Sequence, residues 1–295
     1  MIESLRSSLI DFTDQYYILK NGLIIDSFDN TKAMPLFQKG SYKIVHFVNE
    51  TMTFAYEFAN NADVQLQEVV IVENNVSFTR TFHLNDGSQV SFLSFINSNQ
   101  ASEAHIQEKW HLLPQTNLNL NNLFIGQNVL SFDQRIMLEG ENAQIKNKNV
   151  MINASNTKQD FHFTIIHEQV HSVSNLQNYG ICNRHSLLNI FTDGIINKEA
   201  KGSELKQKAK GLILDEKSQI SANPWLEINE HDCLASHGAS IGAIDDQELY
   251  YLMSRGLTKE QSEKLIINGF IWPLISEVPS GKLRSYLMQW IDTHL

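Results

Sequence analysis

The chain has 295 residues, enough for one elongated domain or two compact ones, and 42% of them are apolar, so a sizeable core can be buried. A formal net charge of −10 argues against a broad phosphate-binding surface, because nucleic-acid affinity rests on clustered lysine and arginine. No stretch approaches the roughly 18 consecutive apolar residues of a membrane span.

The N-terminal segment lacks the apolar run and small-residue cleavage site of a secretory leader. Cys182 and Cys233 are the two cysteines and form no CxxC pair. Together these features lead us to expect a protein of the reducing cytoplasm.

Residues 1–22 read as a lead-in. Ile2, Leu5, Leu9 and Phe12 have roughly helical spacing, which predicts a short helix or an irregular segment.

From residue 23 to 243 the texture is β. Val64-Gln65-Leu66-Gln67, Val76-Ser77-Phe78-Thr79, Leu118-Asn119-Leu120 and Phe161-His162-Phe163-Thr164-Ile165 alternate with a period of two. Corners are predicted at Asn60-Asn61, Asn74-Asn75, Asp86-Gly87 and Asn97-Ser98-Asn99, roughly every dozen residues, then at Asn121-Asn122 and Glu139-Gly140. Proline, which would interrupt a ladder, is confined to Pro35 and Pro114 before Pro224. Short strands with regular corners suit a sandwich or a solenoid. So long an unbroken run favours the solenoid, which grows by adding rungs. The lysine-rich run 198–217 mixes both signs and reads as a solvated face or turn.

Residues 244–295 read as helical. Asp245 with Glu248, and Thr258 with Gln261, have capping-box spacing. The first box precedes Leu249, Leu252 and Met253, and Gly256 is placed as a stop. The second precedes Leu265, Ile266 and Phe270. Pro273 and Pro279 are expected to break the chain, after which Ser280 can cap a last helix carrying Leu283, Leu287, Trp290 and Ile291. Such short helices need the β body or a partner to cover their apolar faces.

Two motifs bear on chemistry. His167-Glu168-Gln169-Val170-His171 matches HExxH, in which two histidines one helical turn apart bind zinc and the glutamate activates water. Its flanks are β-like, however, and on a strand Glu168 would point away from both histidines. The preferred reading is therefore a pair of strand histidines, and a zinc metalloprotease is the enzyme alternative. His231, Cys233 and His237 carry metal-binding side chains but match no standard zinc framework. Cys182 reads as a small buried hydrophobe. No P-loop, dinucleotide-binding glycine fingerprint or GxSxG is present.

The stretch from Asn223 to Phe270 carries a resemblance. Pro224-Trp225-Leu226-Glu227-Ile228, Asp232, Ser236-His237-Gly238-Ala239-Ser240-Ile241-Gly242, Leu249-Tyr250-Tyr251-Leu252 and Ser254-Arg255-Gly256 resemble the SufB/SufD proteins of iron–sulfur cluster assembly. Upstream, His171, Ser174, Gly180-Ile181, Gly194-Ile195-Ile196, Ala200, Gln207 and Leu212-Ile213-Leu214 fall in the same order. Asn268-Gly269-Phe270 continues it downstream. The SHGAxxG form is more similar to SufD.

This resemblance implies a right-handed parallel β-helix over 23–243 and a helical ATPase-docking domain over 244–295. The protein would be a non-catalytic cytoplasmic scaffold that pairs with a SufB-like chain, or with a second copy of itself. It would bind the SufC ATPase through a surface including Tyr250, Tyr251, Leu252, Arg255, Gly256 and Phe270. His237 would hold metal in a transient iron–sulfur cluster shared with a cysteine of the SufB-like chain. The position before Ser236-His237, often cysteine in SufD proteins, is Ala235 here.

Overall fold

The computed structural model describes residue 10 and residues 15–98, 103–126, 128–278 and 281–295. Among the described residues sixteen strands form one sheet that winds into a solenoid, and all but one of its pairings are parallel. Strand β4 (Met52–Val72) explains how. Its first part pairs with β5 (Val76–Leu84), as Met52 with Phe78, and its second part with β6 (Gln89–Asn97), as Asp63 with Gln89.

Between the two parts the chain turns a corner at Asn61, whose φ is 55°. From there two ladders grow rung by rung. One runs through β7 (Glu103–Leu112), β9 (Val129–Leu138), β11 (Lys158–His167), β13 (Leu187–Ile196) and β15 (Gln219–Ile228). The other runs through β8 (Asn117–Gly126), β10 (Gln144–Asn153), β12 (Val173–Cys182), β14 (Ser203–Ile213) and β16 (Cys233–Ala243).

The lead-in differs from expectation. Gln15–Lys20 is strand β1, parallel to β3 (Leu36–Val48) and antiparallel to β2 (Leu23–Ser27). Asn21 and Gly22, both with positive φ, make the two-residue turn whose twist matches a hairpin. Of the predicted helical segment, the positions 2, 5, 9 and 12 lie outside the described residues.

The corners share one design. Asn61, Gly87, Gln115, Asn142, His171 and Gly202 all have positive φ and occupy equivalent places on successive rungs. Each donates its backbone N–H to a carbonyl of the next corner: Asn61 to Asp86 (2.8 Å), His171 to Lys201 (2.8 Å) and Gly202 to Asp232 (2.6 Å). At Gly202 a Cβ would sit 2.4 Å from Nδ1 of His171, so glycine satisfies both backbone and space. The predicted corner at Asn121-Asn122 is instead the middle of β8, where Asn122 points inward and donates to Asn149 (2.8 Å). The lysine-rich run is mostly strand β14, with Lys206, Lys208 and Lys210 alternating on its outer face.

Residues facing into the solenoid stack in columns because successive rungs are in register. Tyr56, Phe82 and Trp110 are register partners, and their rings stack at 4.8 Å and 3.8 Å. A second core lies outside the ladder that ends in β16. There Phe47, Ile71, Phe95, Ile125, Ile152 and Ile181 are covered by the C-terminal helices.

These helices are α1 (Asp246–Ser254), α2 (Lys259–Ile275) and α3 (Lys282–His294). Buried Ile267, Ile271, Leu274, Leu287 and Ile291 form their contribution. Thr258 and Gln261 make the expected capping box. Helix α2 runs through Pro273 and ends at Ile275, so the proline does not break it at once. Its missing N–H leaves the Gly269 carbonyl without its helical donor, a loss of one bond two residues before the helix ends. Positions 279 and 280 lie outside the described residues. Among the described residues no helix is long and apolar enough to cross a membrane.

Candidate functional site

The last rung differs from all others. Strands β15 and β16 terminate the two ladders, so each has one unpaired edge. Pro224 sits within β15, as an edge strand allows. The side chains that elsewhere fill the interior are here uncovered. In the register with β14, Ala235 follows Leu205, His237 follows Gln207 and Ala239 follows Ala209, and all three of these β16 residues are exposed. Trp225 is 64% and Leu234 63% exposed. The solenoid end thus presents two open strand edges together with exposed apolar side chains.

His237 lies at the centre of this end, on the inward face of β16. Ser236, Gly238 and Ser240 occupy the outer face. With Lys206, Lys208, Gln207 and His237 itself, they line a groove of about 500 Å3. Cys233 shares the inward face with His237 but is four residues away, about 13 Å along a strand. That is too far for both to hold one ion. Burial, followed by the nearby charges of Glu230 and Asp232, pushes the Cys233 thiol up, and its Sγ lies 3.2 Å from the Glu230 carbonyl. His231 stands in the turn before β16. The three side chains of the sequence cluster are thus not brought together. Among the described residues no three His, Cys, Asp or Glu side chains are placed to hold a metal ion. His237 can supply one ligand, and the rest of any such site has to come from elsewhere.

Helix α1 follows within a few residues. Asp245 caps it, accepting from the N–H groups of Gln247 (2.7 Å) and Glu248 (3.1 Å). No residue of α1 is buried. Tyr250 is 75% and Tyr251 56% exposed, Leu252 is half-buried, and Arg255 lies over the Tyr251 ring at 5.3 Å. Gly256 ends the helix with φ 98°. Phe270 is placed differently. It turns toward the solenoid and meets the Tyr179 ring edge-on at 5.6 Å.

The HExxH segment is neither helix nor uninterrupted strand. β11 ends at His167, and 168–172 form the corner, with His171 in its left-handed place. The strand expected across the whole motif therefore stops at its first residue, because every rung must turn there. His167 is fully buried and held by Ser172 at Nδ1 and Ser174 at Nε2, both at 2.7 Å. Burial lowers its pKa to about 4. Fully buried and with both ring nitrogens engaged, His167 is not placed to take a zinc ion. Cys182 is buried as expected, with its thiol pushed up to about 11 by burial.

Sequence reading missed a charged cluster inside the solenoid. Arg80 pairs with Glu68 and Glu108, all three fully or almost fully buried. Tyr56 donates to Glu68, Trp110 Nε1 to Glu108 (3.1 Å) and Gln134 to Glu108 (2.7 Å). Burial alone would raise the Glu68 carboxyl, but Arg80 and His46 hold it down at about 2. The signal was three charged residues at inward positions of β4, β5 and β7.

The geometry defines a β-solenoid protein whose C-terminal rung is open and whose helices fold back over one ladder. Residues 51–270 match the family model described as SUF system FeS cluster assembly, SufBD core domain, and the chain belongs to that family. Among its relatives, the iron–sulfur cluster assembly protein SufD of Bacillus subtilis is 35% identical over 156 residues, covering 52% of this chain and 36% of that protein. An iron–sulfur cluster assembly SufBD family protein of Mycobacterium bovis is 26% identical over 155 residues, covering 52% and 18%. One from Pyrococcus horikoshii is 37% identical over 90 residues, covering 30% and 20%. The matches thus span about a third or less of these relatives.

Proposed function

We propose that this chain is a SufD-like, non-catalytic scaffold subunit in SUF iron–sulfur cluster assembly. The observation that carries the proposal is the open last rung. Its edges are unpaired, its interior column ends in exposed Ala235, His237 and Ala239, and Trp225 and Leu234 stand uncovered beside it. A SufB-like chain, with its own solenoid end, would continue both ladders and bury these side chains. A second copy of this chain is the other occupant with the same architecture.

In that pairing His237 supplies a neutral imidazole to the nascent cluster or its iron, and a thiolate of the partner supplies another ligand. The iron–sulfur cluster is cargo, held in transit at the junction. The SufC-like ATPase docks on α1, where Tyr250, Tyr251 and Arg255 form an exposed aromatic and basic face at the start of the helical segment 244–295. Leu252 and Gly256 shape that face. Phe270 is turned onto Tyr179 and anchors α2 to the solenoid.

Co-expression with SufB-like and SufC-like chains from the same source tests this reading. We expect one complex containing all three. Leu234→Asp should release the SufB-like chain, Tyr250→Ala with Tyr251→Ala should release the ATPase, and His237→Ala should keep both while lowering cluster yield. A chain that binds neither partner would overturn the scaffold role, and an unchanged cluster yield would remove His237 from it.

A further inference from the structure

Polar side chains inside the middle rungs bond to neighbours one rung or one sheet away. Asn122 donates to Asn149 (2.8 Å), Asn149 to Asn178 (2.9 Å) and Asn178 to Thr192 (3.2 Å). Gln207 departs from this pattern. It is 5% exposed, and neither its Oε1 nor its Nε2 has a hydrogen-bond partner. A buried carboxamide with both ends idle is unfavourable, and a leucine of similar size would avoid that penalty.

The surroundings leave one direction for a partner. Below Gln207 in its column is Leu176, and on either side along β14 are Leu205 and Ala209. Across the interior stands Gly194, where a Cβ would come within 2.5 Å of Gln207 Nε2, so glycine keeps room for the carboxamide. Above it, in register on the last rung, is His237. Adjacent strands lie about 4.8 Å apart, which brings the two side chains within hydrogen-bonding reach of each other or of a shared ligand.

We propose that Gln207 is the positioning residue of the His237 site; this rests on the scaffold reading above. When a partner closes the end, the Gln207 carbonyl accepts the N–H of one imidazole nitrogen of His237. The other nitrogen is thereby fixed as the unprotonated metal ligand. The carboxamide N–H then faces the same junction and donates to sulfide or thiolate there. Free, the chain leaves the amide unsatisfied; assembled, it is satisfied. Gln207 acts through His237 and does not itself touch iron.

The test uses the assembled complex with SufB-like and SufC-like chains, loaded with Fe2+ and sulfide. Iron affinity is read by chelator competition, and the imidazole by its nitrogen hyperfine coupling in the reduced cluster. Gln207→Leu and Gln207→Met should melt at or above wild type and co-purify normally. They should nevertheless bind iron about 10- to 100-fold more weakly, with the imidazole coupling changed. Gln207→Glu, which keeps an acceptor, should retain the coupling. In a His237→Ala background, Gln207→Leu should add far less than it does alone.

Wild-type affinity and coupling in Gln207→Leu would overturn the inference while leaving the scaffold reading intact. So would lower melting together with lost partner binding in both apolar variants, because the role would then be structural. If His237→Ala itself changes neither readout, the cluster role of His237 falls, and that of Gln207 with it.

Discussion

The middle rungs and the last rung are built from the same strand geometry and end in opposite states. In the middle, each inward side chain meets a copy of its own position above and below, so rings stack, amides chain together and even Arg80, Glu68 and Glu108 find each other. At β15 and β16 the same inward positions meet nothing on one side. His237, Ala235 and Ala239 are exposed and Gln207 is unpartnered. A repeat architecture stabilises each rung through its neighbours. A final rung without a cap has a neighbour on one side alone, so in the proposed scaffold the same fold is closed in the body and open for pairing at the end.

The largest expected effect breaks the middle. Arg80→Met strands two carboxylates in an apolar interior and should cost about 3 to 5 kcal/mol in chemical denaturation. Adding Glu68→Gln and Glu108→Gln should recover much of that loss, because the buried charges are then gone.

A second effect of similar size comes from His167. Its folded pKa, about 4, is below the ordinary value of 6.5, so the unfolded chain takes up the proton first as pH falls. The contribution of a neutral His167 is full above about pH 6.5 and is lost progressively down to about pH 4, amounting to about 3 kcal/mol. The urea midpoint should drop across that window, and His167→Gln should flatten the drop whatever its effect at neutral pH.

The helices sharpen the comparison from outside. Leu287→Ala, in the covered second core, should cost about 2 to 3 kcal/mol. Tyr250→Ala should change stability by less than about 0.5 kcal/mol. The smallest stability effect belongs to the open end. Leu234→Asp should leave the melting temperature of the free chain nearly unchanged, within about 0.5 kcal/mol, while abolishing association with a scaffold partner.

Much of the body was legible from local pattern. Alternation in Val64–Gln67 and Phe161–Ile165, with corners at Asn60-Asn61, Asn74-Asn75, Asp86-Gly87 and Glu139-Gly140, marks short strands with regular turns, because strand period and turn chemistry are local properties; the length of the unbroken run is what favoured a solenoid over a sandwich. Asn121-Asn122 misled because an amide that would favour a corner is equally content in an interior amide ladder, and the ladder exists only once rungs are in register. The strand reading of the HExxH segment holds for His167 and fails at His171, a corner residue with positive φ that, unlike Asn61 and Gly87, is not a usual turn former.

The charged cluster was hidden because its members lie 12 and 28 residues apart and meet only once the rungs are in register. At the candidate site, the family motif marked His237 directly. The idle carboxamide beneath it is invisible until β14 and β16 are aligned.

Hydrogen exchange of the β15 and β16 amides, with and without a SufB-like chain, tests the open end most directly. The unpaired edges of these strands should exchange quickly in the free chain and become protected in the complex. Protection should be confined to Gln219–Ile228 and Cys233–Ala243 together with any helix touched by an added ATPase. Protection elsewhere with these strands unchanged, or binding that leaves β16 exchanging as in the free chain, would contradict it.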